Sequence, residues 1–258
     1  KKPSFWLLFY LLLSDNNDKN IQDEHICCAI SDKKCANGYE KKKEWLKKEF
    51  KNGYNFQKVD VRGKVFIEYV PIESSWLPLK GKNFMVINCF WVSGQFKGKG
   101  YGKKLLEQCV ADSKGMDGII AVSSDKKRPF MTDPKFLKYQ GFEIIDEAKP
   151  NFKLWGLKIN SNAEFPKFME SAKSGKCPNN KGITAYYSNT CPFTEFYTNK
   201  LLRAYAKKKN IPIEINPIKS QEDGRKMPIP WIINSVFYKG EFVSLEMKVE
   251  RHLEKLIE

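Results

Sequence analysis

The spacing of apolar residues along the chain predicts alternating strands and helices. Tyr39, Trp45, Leu46 and Phe50 share one side of an amphipathic helix predicted over 39–51. Short apolar runs bounded by turn residues predict strands over 56–70, 84–92, 118–124, 142–148 and 152–159. Two further helices are predicted over 102–114 and 133–140. Antiparallel strands followed by alternating helices and strands indicate a mixed α/β (α+β) sheet with flanking helices.

A second, smaller unit is predicted in the last third of the chain. Polar and small residues dominate 161–182, which indicates a linker between a domain at 1–160 and another at 183–258. Strands are predicted over 183–188, 211–218, 232–238 and 241–245, and helices over 194–209 and 247–257. A unit of this size can bury a core of its own, but only a modest one.

The charge of the chain requires an anionic partner to be considered. The 258 residues carry a formal net charge of +15. Lysines alternate with acidic residues in the stretch KKKEWLKKEFK, which is typical of a solvated helix face, and no nucleic-acid motif is present. We therefore expect no nucleic-acid partner.

The cysteines indicate a reducing compartment. The chain has seven cysteines, an odd number, and Cys89 and Cys109 lie inside apolar patterns, where free thiols act as small core residues. We therefore predict a reduced, cytoplasmic protein.

An apolar run at 5–13 follows two lysines and is similar to a signal peptide. It is too short to span a bilayer, and no small-residue cleavage pattern follows it. A buried strand or a cloning artefact is favoured over a targeting segment, and no membrane partner is expected.

A glycine-rich segment joins the strand predicted at 84–92 to the helix predicted at 102–114. It reads KGKGYG, with Gly98, Gly100 and Gly102 in alternation. A glycine-rich turn that opens a helix presents unpaired N–H groups to an anion, and phosphate suits such a site. The P-loop serine or threonine is absent, and the dinucleotide fingerprint does not match. A tight turn in a lysine-rich segment is the alternative interpretation.

This segment resembles the signature of the GNAT family of N-acetyltransferases, R/Q-x-x-G-x-G/A, with Lys97 in the first position. A second family mark, F-Y-x-x-x-G-F, is similar to the later stretch KFLKYQGFE, in which Phe136, Gly141 and Phe142 are in register. The resemblance covers roughly residues 20–160. Together with the stretches EHICC and YYSNTCPFTE, it is greatest to the YoaP-like acetyltransferases, which carry an additional C-terminal domain.

The resemblance implies a mostly antiparallel sheet and acetyl-CoA as co-substrate, with no metal. The main chain of the loop would bind the cofactor's pyrophosphate, and this loop comprises Lys97, Gly98, Lys99, Gly100, Tyr101, Gly102 and Lys103. Phe90, Trp91 and Val92 would pair with the pantetheine arm, beside a splayed gap that admits the thioester. The acetyl group would pass directly to the amine of a small molecule or peptide, in a monomer or a homodimer.

The catalytic groups depart from the family pattern. The usual acid is a tyrosine where this chain has Leu137, and Tyr139 faces about 200° away on an ideal helix, so a solvent proton is the alternative acid. Glu68, on an early strand, is the candidate base. A solvated carboxylate without a catalytic role is the more ordinary interpretation of Glu68.

The stretch EHICC raises the question of a metal site. Adjacent cysteines cannot easily chelate one tetrahedral ion, and no second cysteine pair follows, so zinc is disfavoured. Instead His25 and Cys27 are candidates for contact with the acceptor, with buried packing as the alternative.

The order of elements after residue 182 resembles the thioredoxin fold. Cys191 is expected at a helix start, where the helix dipole lowers a thiol's pKa. Thr194 replaces the second cysteine of C-x-x-C, and Pro230 would match that fold's cis-proline. A monothiol redox or sensing role is therefore the alternative function, beside a structural or substrate-binding role for this unit.

Overall fold

The computed structural model describes residues 13–26, 28, 29, 32–61, 63–247 and 254. Thirteen strands are present in this part of the chain: β1 (Leu13–Asn16), β2 (Asn55–Val59), β3 (Val65–Pro71), β4 (Leu79–Lys80), β5 (Phe84–Val92), β6 (Gly118–Ser124), β7 (Glu143–Ala148), β8 (Phe152–Lys158), β9 (Lys167–Phe168), β10 (Ile183–Ser188), β11 (Ile213–Ile218), β12 (Asn234–Tyr238) and β13 (Glu241–Ser244). The helices are α1 (Ala36–Glu49), α2 (Tyr101–Asp112), α3 (Pro134–Tyr139), α4 (Arg203–Lys208) and α5 (Gln221–Arg225), and a π-helical segment (Glu195–Leu202) leads into α4.

Most predicted elements are found within two residues of their expected ends. The strands predicted at 84–92, 118–124 and 183–188 have the expected bounds. The short helix α5 was not predicted. The predicted segments 5–13 and 247–257 lie outside the described residues, apart from Leu13, Met247 and Glu254. No helix in the described ranges is long and apolar enough to cross a bilayer.

The first sheet has seven strands in the order β1-β2-β3-β5-β6-β8-β7. All its neighbouring strands are antiparallel except β5 and β6, which are parallel. Helix α2 packs against this sheet through Leu105, Leu106 and Cys109, which are buried. The prediction of a mixed, mostly antiparallel sheet with flanking helices is confirmed.

The pairing between β5 and β6 stops halfway along both strands. Only Phe84–Ile87 pairs with Gly118–Ala121, although β5 runs on to Val92 and β6 to Ser124. On the other side of β5 the register with β3 shifts so that Asn88 has no partner residue. This bulge bends β5 away from β6, and the predicted splayed gap is present.

The second sheet has four strands in the order β11-β10-β12-β13. Strands β10 and β11 are parallel, and the other pairs are antiparallel. The segment between β10 and β11 is helical, as predicted over 194–209, but its first eight residues are π-helical. A small core lies between the sheet and this helix, with Ile183, Leu202 and Tyr205 at its centre.

The two sheets share one apolar core. It joins Phe56 and Phe84 of the first sheet to Trp231 and Phe237 of the second unit. The backbone of α1 at Gly38 lies very close to the backbone of the second unit at Pro192. A Cβ on Gly38 would lie only 2.1 Å from the Pro192 carbonyl oxygen. The second unit is therefore packed firmly against the first.

The segment predicted as a linker is also packed. Phe168 and Cys177 are buried in the shared core, and β9 pairs with β4. A few apolar residues anchor this segment. Because they are spaced among many polar residues, the average composition indicates a linker although the segment is packed.

Candidate active site

The KGKGYG loop adopts a backbone that requires glycine at two positions. Gly98 has φ +73° and Gly100 has φ +80°, and Gly100 directly precedes α2. A side chain on either would be strained. A Cβ at these positions would meet no protein atom within 4 Å, so the space above the loop is open.

The open space is lined by hydrogen-bond donors. In the described part of the chain, the N–H groups of residues 98–103 donate to no protein acceptor. The positive end of the α2 dipole lies here, and the side chains of Lys97, Lys99 and Lys103 are exposed around it. The loop is therefore well suited to bind an anionic group such as phosphate.

The second family mark lies directly beside this loop. A Cβ on Gly102 would lie 3.3 Å from the Phe136 ring, which also packs edge-on against Phe90 at 5.1 Å between ring centroids. Leu137, in the position of the expected tyrosine, is completely buried, whereas Tyr139 is 84% exposed. Phe136 therefore packs against the loop, whereas Tyr139 faces solvent.

The end of β5 offers a free strand edge. Phe90, Trp91 and Val92 pair with β3 but not with β6. Phe90 is buried, while the Trp91 side chain is 43% exposed. Because the edge that faces β6 is unpaired, an extended ligand could form main-chain hydrogen bonds along it.

Glu68 is buried beside this gap, and each of its carboxylate oxygens has one partner. One carboxylate oxygen binds the Lys42 ammonium, and the other accepts a hydrogen bond from the Tyr54 hydroxyl at 2.7 Å. Glu68 and Lys42 are each 1% exposed. The interpretation of Glu68 as a solvated carboxylate is therefore wrong, because helix α1 and Tyr54 cover the strand face that carries it.

The surroundings fix the charge of each partner of Glu68. Burial raises the pKa of Tyr54 well above its usual range, and Glu68 raises it further, so the phenol stays protonated. Burial alone would lower the pKa of Lys42, but the Glu68 carboxylate outweighs this and raises it. Lys42 therefore remains a cation. Sequence reasoning missed both residues, although Lys42 occupies the apolar face of α1 between Tyr39 and Trp45.

A small cavity lies between the splayed strands and the second unit. Its free volume is about 20 Å³. The walls are Tyr54, Glu68, Leu77, Ile87, Asn88, Cys89, Val122, Thr190, Trp231, Ile232 and Ile233. Since Ile87 and Val122 mark the point where β5 and β6 separate, the cavity opens onto the gap between the strands.

The predicted residues of the EHICC stretch are only partly placed. Cys27 lies outside the described residues. His25 is half-buried, and burial together with nearby Lys58 lowers its pKa. Across the residues that the structure describes, no three His, Cys, Asp or Glu side chains are grouped as metal ligands would be.

The expected thioredoxin-like thiol is not activated. Cys191 lies four residues before the helical segment and is buried, and burial raises its pKa to about 12. Thr194 donates its hydroxyl to the Ser188 and Cys191 carbonyls at 2.8 Å. The prediction of a lowered thiol pKa is therefore wrong. The Ile229–Pro230 peptide bond is trans, so the prediction of a cis-proline is wrong as well.

We expect Cys191 to resist alkylation at neutral pH. A pKa of about 12, against an ordinary thiol value of 9.0, leaves roughly a thousandfold less thiolate at pH 8. Iodoacetamide labelling followed by peptide mass spectrometry measures this, with the same peptide in denaturant as control. Equal labelling rates in folded and denatured protein would contradict the buried thiol.

Comparison with known proteins agrees with this geometry. Residues 20–132 match the acetyltransferase (GNAT) family, and residues 212–255 match the YoaP-like family. The chain is 42% identical over 240 residues to a protein of Bacillus subtilis (strain 168) named "Uncharacterized N-acetyltransferase YoaP", covering 92% of this chain and 95% of that protein.

Solved acetyltransferases are similar to somewhat more than half of the chain. An acetyltransferase from Thermus thermophilus has a TM-score of 0.41 and 15% identity, covering 57% of this chain and 97% of that one. A GNAT family acetyltransferase from Brucella melitensis, in complex with acetyl-CoA, has a TM-score of 0.39 and 13% identity, covering 61% and 92%. On the strength of the 42% identity to YoaP over nearly the whole of both proteins, the chain belongs to the GNAT family of acetyl-CoA-dependent acetyltransferases, among its YoaP-like members.

Proposed function

We propose that the protein transfers the acetyl group of acetyl-CoA directly to the amine of a small molecule that binds between the two units. The observation that carries this proposal is the gap between β5 and β6. It has an anion-binding loop at its outer end and a buried carboxylate, Glu68, at its inner end.

The cofactor is bound mainly by main-chain groups. The unpaired N–H groups from Gly98 to Lys103 hold the pyrophosphate, with Lys97 and Lys99 adding positive charge. The free edge of Phe90–Val92 pairs with the pantetheine arm and directs the thioester into the gap. Main-chain binding explains why lysine is tolerated at position 97, where the family pattern has arginine or glutamine.

Glu68 is the base in this proposal. The amine nitrogen attacks the thioester carbonyl carbon, a carbon–nitrogen bond forms and the carbon–sulfur bond breaks. Glu68 takes the proton lost by the amine, while Lys42 and Tyr54 hold its carboxylate in place. Since Tyr139 is 84% exposed, we propose that water rather than this phenol protonates the departing thiolate.

The second unit is proposed to be a thioredoxin-like fold that has a structural role. The order β11-β10-β12-β13, with β10 and β11 parallel, supports this fold. Its buried Cys191 lacks a reactive thiolate, which argues against the monothiol redox alternative. Thr190 and Trp231 to Ile233 instead form one wall of the cavity beside Glu68.

Amine-dependent release of thiol from acetyl-CoA tests the proposed function. We expect wild type and the Cys191→Ser variant to release CoA at the same rate when a panel of small amines is supplied. Release that requires Cys191, or that is independent of amine, would support thiol chemistry and contradict acetyl transfer.

A further inference from the structure

Two polar groups at the cavity have no partner in the described structure. They are the Asn88 side-chain oxygen and the Trp231 indole N–H, both buried. Each residue lines the cavity, Asn88 from the bulge of β5 and Trp231 from the second unit. A buried polar atom without a hydrogen bond costs about 1–3 kcal/mol, so a ligand that forms hydrogen bonds with both atoms would be favoured at this cavity.

The orientation of the Asn88 amide is fixed by its neighbour. Against the larger effect of burial, the Asn88 side chain lowers the pKa of Tyr54, as a donor to the phenol oxygen does, and the Tyr54 hydroxyl itself donates to Glu68. Because the Tyr54 proton is already given to Glu68, the Asn88 amide must present its NH₂ group to Tyr54. Its oxygen is then left as an acceptor at the point where β5 leaves β6.

The charge of the cavity restricts what can enter it. Among the described wall residues Glu68 is the one carboxylate, no lysine or arginine is present, and Glu68 already forms an ion pair with Lys42. A second carboxylate, such as that of an amino acid, would be buried without a cation, at a large cost. The free volume of about 20 Å³ suits one hydroxyl-sized group, so only one end of an acceptor can enter the cavity and the rest must lie in the gap between the strands.

From these observations we infer that the acceptor is a small amino alcohol rather than an amino acid or an alkylamine, an inference that rests on the proposed function. Its amine donates to the Asn88 oxygen and lies next to Glu68. Its hydroxyl oxygen accepts a hydrogen bond from the Trp231 indole N–H, so the second unit selects the acceptor.

Three matched sets of acceptors test this inference with the full-length protein. Each set contains an amino alcohol, the alkylamine with a methyl group in place of the hydroxyl, and the amino acid with a carboxylate there. One set is 2-aminoethanol, n-propylamine and β-alanine. We expect kcat/KM for the amino alcohol to exceed that for the other two at least tenfold. Losing one buried neutral hydrogen bond lowers kcat/KM by about that factor.

Two tryptophan variants separate recognition from packing. Trp231→Phe removes the N–H but keeps a ring, and we expect the preference for amino alcohol over alkylamine to fall to about twofold or less. Trp155→Phe is the control, because Trp155 also has a buried unpaired N–H but lies on β8, away from the cavity. We expect the Trp155→Phe variant to prefer amino alcohol over alkylamine as strongly as wild type does.

The outcomes distinguish the inference from the proposed function. If no amine in any set releases CoA or becomes acetylated, the proposed function fails. If amines are acetylated without preference for the hydroxyl, or if Trp231→Phe keeps the wild-type preference, the proposed function stands and only the amino alcohol inference is overturned.

Discussion

Replacing Gly100 with valine is expected to abolish the thermal stabilisation of the protein by CoA. Gly100 has φ +80°, which strains any side chain, and the added atoms would occupy the open space above the loop N–H groups. Losing two or more charge-assisted hydrogen bonds to phosphate weakens binding by at least about 100-fold. Differential scanning fluorimetry with millimolar CoA measures the effect.

Gly115→Val is the matched control for this variant. Gly115 has φ +87° and open space around it, but it lies beyond the opposite end of α2 from the loop. It therefore carries a similar backbone strain without blocking the anion site. We expect Gly115→Val to lower the melting temperature and still respond to CoA. A wild-type shift with CoA in Gly100→Val would mean that the cofactor does not bind this loop.

Replacing Glu68 with glutamine is expected to reduce kcat by on the order of 100-fold or more, because the amine loses its base. The variant should also be less stable, by roughly 3 kcal/mol, since the buried Lys42 ammonium would be left without its counter-charge. Steady-state thiol release at saturating acetyl-CoA measures kcat, and urea unfolding measures the free energy of unfolding.

The double variant Lys42→Met/Glu68→Gln separates the two effects. It removes both charges, so most of the lost stability should return, while Tyr54 still has an oxygen to which it donates. We expect a stable protein with kcat as low as in the single variant. Recovery of kcat together with stability would show that Glu68 is needed only for folding.

The conformation of the KGKGYG loop and most of the fold could be predicted because their signals are local. A strand, a glycine alternation and a helix follow one another directly, and the left-handed Gly98 and Gly100 use the freedom that only glycine offers. The strand predicted at 84–92 has the expected bounds for the same reason. The splayed gap could be predicted only from the family resemblance, because the pairing of two strands cannot be derived from the sequence of one strand alone.

Glu68 could be named as a candidate base, but its cluster with Lys42 and Tyr54 could not be predicted because it forms only in the folded chain. Glu68, Lys42 and Tyr54 come from β3, α1 and the turn before β2, and no motif within any of these segments marks them as a group. Lys42 gave the one available signal, as a lysine on the apolar face of a helix.

The expected activation of Cys191 shows how tertiary burial overrides a local rule. A helix dipole stabilises a thiolate by about 0.3–2 kcal/mol. Raising the pKa from 9.0 to about 12 corresponds to roughly 4 kcal/mol against the thiolate, so burial decides its state. The segment that carries Cys191 packs against α1, as the contact between Gly38 and Pro192 shows.

The most direct test of acetyl transfer is mass spectrometry of the complete reaction mixture with isotopically labelled acetyl-CoA and a small amine. Direct transfer predicts that the label appears on the amine nitrogen in the same amount as the CoA released, with the mass of the protein unchanged. Label on the protein, or CoA released without acetylated amine, would contradict direct acetyl transfer.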